Sequence, residues 1–155
     1  MIRFELNGRR VESNADPLAR LLDVLRDELG DRSVKEGCGE GECGACLVLL
    51  DGAPVNSCIL PLARAEGARV VTMAGLRESA RGKGLIEAFA REGAVQCGFC
   101  IPGMVIAAES LLGRNAHPTE AEIREGISGN LCRCTGYDLI VRAIASAARE
   151  GNGLW

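Results

Sequence analysis

Residues Ile2 to Leu6 alternate apolar and polar positions, the period of a half-buried strand. Asn7-Gly8 follows as a two-residue hairpin signal, with Arg10 to Ser13 returning as the partner strand. After Asp16-Pro17, Leu18, Leu21, Leu22, Leu25 and Leu29 recur at helical spacing up to Gly30, which predicts one amphipathic helix. Leu47 to Leu50, Asp51-Gly52 and Val55 to Cys58 repeat the strand, turn, strand pattern, and Arg69 to Thr72 reads as a last strand. This half is predicted to be a compact α+β unit. The pattern then changes. Arg77 to Gly84 is polar, basic and glycine-bearing, as a linker is, and only helical stripes follow it. Leu85, Ile86, Phe89 and Ala90 form one stripe, and Met104, Val105, Ala108, Leu111 and Leu112 form a second after Pro102. Ile123 and Ile127 lie on a third helix opened by the capping-box pattern Thr119-x-x-Glu122, and Ile140, Ala143, Ile144 and Ala147 mark a fourth. Two domains are expected, 1–76 and 77–155, the second a small four-helix bundle.

Composition narrows the function. At 155 residues, 25% charged and a net charge of -3, the chain is neither disordered in composition nor basic enough to suggest a nucleic-acid partner. No apolar run approaches the roughly 18 to 20 residues of a membrane span. The N-terminal residues read as a strand, not as an export signal, and Arg9-Arg10 is followed by VESNADPLAR, which has no apolar stretch. A cytoplasmic location is therefore expected. Aromatic residues are only 3% of the chain, whereas there are eight cysteines. In a reducing compartment that many thiols point to metal ligation in preference to disulfides.

Their spacing is informative. Cys38, Cys43, Cys46 and Cys58 read C-x4-C-x2-C with a fourth cysteine after eleven intervening residues, the plant-type 2Fe–2S pattern. The segment GCGEGECGAC interleaves three of these thiols with glycine and alanine, so backbone N–H groups can approach an anionic cluster without obstruction by side chains. A structural zinc site more often pairs two short knuckles, and disulfides fit poorly in so crowded a loop. In the second half, Cys97 and Cys100 form C-x2-C, and Cys132 and Cys134 form C-x-C after 31 intervening residues. That spacing alone leaves zinc and iron–sulfur both open. Each pair precedes a predicted helix start, where partial positive charge favours a buried anion.

Taken in order, GCGEGECGACLV, QCGFCIPGM and GNLCRCTGY closely resemble the small iron–sulfur subunit of the molybdenum hydroxylase, or xanthine oxidase, family, over nearly the whole chain. The resemblance implies a β-grasp plant-type ferredoxin domain followed by a four-helix bundle, each with one 2Fe–2S cluster. It implies an electron-transfer role beside a large subunit carrying molybdopterin, as the cytosine dinucleotide, and a medium subunit carrying FAD, in a dimer of heterotrimers. By the same resemblance Cys97, Cys100, Cys132 and Cys134 hold the cluster nearer molybdenum, and Cys38, Cys43, Cys46 and Cys58 the cluster nearer flavin. Gln96 and Cys134 match the positions that approach the partner's pterin, although Gln96 also reads as an ordinary helix-end hydrogen-bonding residue. Leu47 and Ile101 depart from a common threonine, and neither is a ligand.

No acid, base or nucleophile for substrate oxidation stands out on this chain, so that chemistry is expected on the large subunit. A purine is the first expectation for substrate, with carbon monoxide, aldehydes and other N-heteroaromatic rings as alternatives. A free-standing two-cluster ferredoxin and a zinc-stabilised interaction module are the competing classes. His117 reads as a solvated loop residue, and Trp155 as a terminal packing or interface residue. With so few aromatic side chains, the iron-free chain is expected to fold poorly.

Overall fold

The computed structural model describes residues 1–151 and 153–155. Strands β1 (Ile2–Leu6), β2 (Arg9–Ser13), β3 (Leu47–Leu50), β4 (Ala53–Asn56) and β5 (Arg69–Val71) form one mixed sheet in the order β2-β1-β5-β3-β4. Both hairpins turn on two residues with positive φ, Asn7 (51°) with Gly8 (81°) and Asp51 (49°) with Gly52 (85°). That is the turn whose twist matches the flanking strands, and Asn-Gly and Asp-Gly are the dipeptides that tolerate it. It sets the registers Leu6↔Arg9 and Leu50↔Ala53. Strand β5 closes the centre of the sheet, parallel to β1 and antiparallel to β3.

Helix α1 (Leu21–Asp23) runs directly into a π-helical turn, Val24–Glu28. This is shorter than the 18–29 helix the periodicity predicts. Asp16 explains the late start, because its carboxylate accepts from Leu18 N–H at 2.8 Å and its carbonyl from Ala19 N–H at 2.8 Å, which turns the chain before any helix forms. Leu18 is left 80% exposed. The π-turn, seen in Leu29 N–H donating to Val24 O, places Leu21, Leu22, Val24 and Leu25 all inward. They pack with Phe4, Leu6, Val48 and Val70 in the core of the N-terminal half.

The expected linker is largely structured. A short α2 (Met73–Leu76) leads to α3 (Ala80–Arg91), so residues 80–84 are helical. The Ser79 hydroxyl caps α3 by accepting from Gly82 N–H at 2.9 Å. Gly82 lies against the Leu76 carbonyl so closely that a Cβ would come within 1.9 Å of it. The polar residues of this stretch are the solvent face of an amphipathic helix, and sequence polarity does not distinguish that from a linker. Three more helices follow: α4 (Ile101–Arg114), α5 (Glu120–Gly126) and α6 (Asp138–Glu150). The predicted capping box is present, with Glu122 Oε2 accepting from Thr119 N–H at 2.7 Å and Thr119 Oγ1 from Glu122 N–H at 3.3 Å.

Helix α4 is buried from Gly103 to Leu112 and is the axis of the second core. Leu49 of β3 belongs to that core, whereas its neighbour Val48 belongs to the first. Successive strand residues face opposite sides, so β3 is the wall the two halves share. Within the helical half Glu109 is 8% exposed, and its carboxylate accepts from Arg81 at 3.1 Å and from the Trp155 indole N–H at 2.9 Å. Glu109→Ala removes both acceptors, and thermal or denaturant unfolding is expected to show a loss of about 2 kcal/mol. An unchanged midpoint would assign the C-terminal residues no part in stability.

Candidate metal centres

The chain folds so that its eight cysteines meet in twos. In the first loop Cys38 and Cys43 face each other, the N–H of each donating to the other's sulfur at 3.4 Å. The Cys38 sulfur also accepts from Glu40 N–H at 3.3 Å and Glu42 N–H at 3.4 Å. Cys58 accepts from Gly41 N–H at 3.2 Å and lies beside Cys46, both cysteines being 2% exposed. Positive φ at Gly39 (70°) and Gly41 (81°) turns these amides inward, and a Cβ on Gly37 would sit 2.8 Å from the Cys43 sulfur. The Asn56 side chain fastens the loop to the sheet by donating to Gly41 O at 2.7 Å. Cys58, expected on a strand, lies in the turn after β4.

In the second half Cys97 and Cys134 are exposed and their sulfurs lie 3.6 Å apart. Cys100 and Cys132 form the inner pair, with Cys100 at the N-cap of α4. The Thr135 hydroxyl lies 3.1 Å from the Cys132 sulfur, and Cys132 N–H donates to the Tyr137 hydroxyl at 2.8 Å. Helix α6 starts at Asp138, and Tyr137 before it has φ 72°, so Cys132 and Cys134 sit on a loop ahead of that helix, as the sequence predicts. Gln96 lies exposed in the loop between α3 and α4, next to Cys97, and His117 is exposed in the loop before α5.

Burial and hydrogen bonding separate the thiols. Backbone N–H donation by Glu40, then by Cys43 and Glu42, draws Cys38 down to about 6. Burial pushes Cys58 up to about 11 and Cys100 up to about 12. Burial raises Cys132, but hydrogen bonds from the hydroxyl and N–H of Thr135, from Cys134 N–H and from Cys100 together outweigh it and leave that thiol lowered. Cys134 is raised by its neighbour Cys97.

Among the described residues, no three or more His, Cys, Asp or Glu side chains close around one point as a single metal ion needs. Two facing pairs suit a different group, a 2Fe–2S cluster, in which each of two irons takes two thiolates. The inward N–H groups suit the negative charge of such a cluster. Ligation requires thiolates, so Cys58 and Cys100 must each release a proton that they otherwise keep throughout the neutral range. Protons and iron therefore compete, and occupancy weakens as pH falls. Visible absorbance of the metal-loaded chain is expected to fall as the pH is lowered from the neutral range, and a flat profile would contradict this ligation.

Two adjacent hydrogen bonds join the two cysteine-bearing loops. Leu131 N–H donates to Cys43 O at 2.9 Å, and beside it Asn130 Nδ2 donates to Gly44 O at 3.1 Å. Neither residue, nor Asn56, Thr135 or Tyr137, stands out in the sequence as a site residue. Their closeness to cysteines in the chain was the one signal available, and a hydrogen bond between segments distant in sequence leaves no spacing pattern.

The folded chain is thus a protein with two thiol-lined sites of 2Fe–2S type. Its sequence matches a 2Fe–2S iron–sulfur cluster binding domain over residues 4–74 and a second 2Fe–2S binding domain over 72–145. It is 46% identical to the nicotinate dehydrogenase small FeS subunit of Eubacterium barkeri, over 96% of this chain and 95% of that protein. It is 43% identical to the xanthine dehydrogenase iron-sulfur-binding subunit of Escherichia coli O157:H7, over 92% and 91%. It superposes on quinoline 2-oxidoreductase from Pseudomonas putida 86 with a TM-score of 0.91 and 40% identity, covering 97% of this chain and 94% of that one. The chain belongs to the small iron–sulfur subunits of the molybdenum hydroxylase family, the electron-transfer subunits of oxidoreductase complexes.

Proposed function

We propose that Cys38, Cys43, Cys46 and Cys58 bind one 2Fe–2S cluster and Cys97, Cys100, Cys132 and Cys134 a second. In this reading the chain carries electrons from a molybdopterin-bearing large subunit to an FAD-bearing medium subunit. The observation that supports it most is the pairing of the thiols in both halves together with the hydrogen bond joining the two loops. Bound clusters supply one-electron carriers. The chain's part is to connect them: from the Cys132 sulfur a covalent route runs through its backbone nitrogen to Leu131 N–H, crosses one hydrogen bond to Cys43 O, and continues to the Cys43 sulfur.

Orientation follows from exposure. Val95, Phe99 and Leu131 are exposed apolar residues, each within two positions of Cys97, Cys100 or Cys132, and the outer thiols Cys97 and Cys134 are exposed beside them. This face, with Gln96, meets the large subunit near its pterin, taken as a cytosine dinucleotide form. Cys38 and Ile59, exposed in the other half, face the flavin side. Domains 1–76 and 77–155 in the ferredoxin-like and four-helix arrangement, a cytoplasmic location and a dimer of heterotrimers belong to the same proposal. Among the described residues no helix is long and apolar enough to cross a membrane. Nicotinate, xanthine and quinoline, named in the relatives, are all nitrogen heteroaromatic compounds, so the substrate proposed for the complex is such a ring, a purine among them.

Metal analysis and co-purification test this. About four iron and four sulfide per chain are expected, with a molybdenum-containing large subunit retained. A colourless zinc protein would end the reading, and a stable two-cluster monomer without such a partner would leave a free ferredoxin in its place.

A further inference from the structure

Three segments distant in sequence converge on the Asn130 carboxamide. It is 5% exposed, and its nitrogen donates to Gly44 O. A Cβ on Gly44 would come within 2.5 Å of that nitrogen, and one on Gly103 within 3.1 Å. Gly44 lies between Cys43 and Cys46, Gly103 in the first turn of α4 after Cys100, and Asn130 two residues before Cys132. A Cβ on Gly103 would also lie 2.1 Å from Gly44 O. The side chain therefore fills a slot that exists only because two glycines, one from each cysteine-bearing half, lack side chains. Its bond to Gly44 O runs beside the bond from Leu131 N–H to Cys43 O, so consecutive residues grip consecutive carbonyls.

Of these two bonds, the one from Leu131 is backbone alone, and among the described residues its loop is tied on the far side only through Cys132 N–H donating to the Tyr137 hydroxyl. The loop bearing Leu131 is irregular, and Leu131 itself is 58% exposed, with no core packing to anchor it. A buried, two-sided amide next door supplies that anchor, since breaking it would leave the carboxamide nitrogen without its acceptor in a closed slot.

We propose that Asn130 is a positioning residue that sets the electronic coupling between the two centres by holding the Leu131–Cys43 hydrogen bond at its length. The inference rests on the two-cluster reading above. It assigns no ligand role to Asn130, which acts through the backbone of its neighbour.

The test uses the full chain in its complex, loaded with both clusters, as wild type, Asn130→Ala, Asn130→Asp and the loop control Ser128→Ala. Asn130→Asp keeps the volume but replaces the donor with an acceptor that faces the Gly44 carbonyl. Iron content, spin–spin splitting in the low-temperature EPR of the fully reduced protein, and the inter-cluster transfer rate after injection of a single electron are measured. Both Asn130 variants are expected to keep their iron and to lose splitting, with transfer slowed roughly tenfold or more, the scale on which outer partners of metal ligands act. Ser128→Ala is expected to match wild type. Unchanged splitting and rate in an iron-replete Asn130 variant would overturn the proposal. Loss of a cluster from both variants would overturn it too, because Asn130 would then hold a metal site together instead of coupling two. Failure of the wild-type chain to hold two clusters is a separate result that removes the two-cluster reading itself.

Discussion

Gly103→Ala is expected to lower stability by about 3 kcal/mol, at the upper end of what overpacking costs, and to lower the melting temperature by roughly 6 to 12 °C. Helix propensity points the other way, since alanine is favoured over glycine by about 1 kcal/mol in a helix interior. The clash decides the sign. A Cβ at Gly103 would meet the Gly44 carbonyl oxygen at 2.1 Å, a backbone atom that can retreat only by moving the first cysteine loop. Gly113, later in the same helix, provides the contrast, because a Cβ there would approach nothing closer than an Arg81 nitrogen at 3.8 Å. Gly113→Ala is expected to be neutral or stabilising by up to about 1 kcal/mol. Circular dichroism melts of the two variants check this, and a Gly103→Ala chain as stable as Gly113→Ala would show that the halves do not depend on this approach.

Single-cysteine substitutions are expected to act on one centre at a time. Cys43→Ser removes a thiol from the first loop, and iron should fall from about four to about two per chain. Substrate should still reduce the centre in the helical half, while delivery to the acceptor slows severely, since the centre at which the Leu131–Cys43 link ends is lost. Cys100→Ser should take the other two irons and should also weaken assembly, because the centre it dismantles lies at the start of α4, around which the second core is built. Iron analysis with EPR of each reduced variant distinguishes the two. Undiminished turnover in Cys43→Ser, or loss of all iron from either variant, would contradict two independently held centres.

Much of this was legible from local pattern. The Asn7-Gly8 and Asp51-Gly52 turns, the Thr119–Glu122 capping box and the four C-terminal helical stripes all arise from interactions within a few residues, which a spacing rule can capture. The errors share one cause. Leu18 sits at a helical position but is turned outward by Asp16, and Arg77 to Gly84 reads as a linker although residues 80–84 are helix packed on Leu76. In both places a contact or a local side-chain bond overrides the polarity pattern. The candidate site shows the same division: all eight cysteines were found by spacing, whereas Asn56, Asn130 and Tyr137, which fasten them, were not.

By itself the sequence determined the chemistry available to this protein: two sets of four thiols, glycine-lined in the first loop, in an α+β half and a helical half. That much is legible in a sequence because thiols at such spacing and unobstructed backbone N–H groups are what an anionic metal cluster takes. Which thiol faces which, and how the two sets are joined, was decided only by the tertiary structure. The Cys38–Cys43 pairing depends on a turn with positive φ, and the Cys97–Cys134 pairing on helix packing across more than thirty residues of chain. The bridge between the loops depends on two glycines that let backbones approach more closely than any side chain allows. Distances of that kind are set by the whole packed core, and it is on them that the proposed electron passage between the two halves depends.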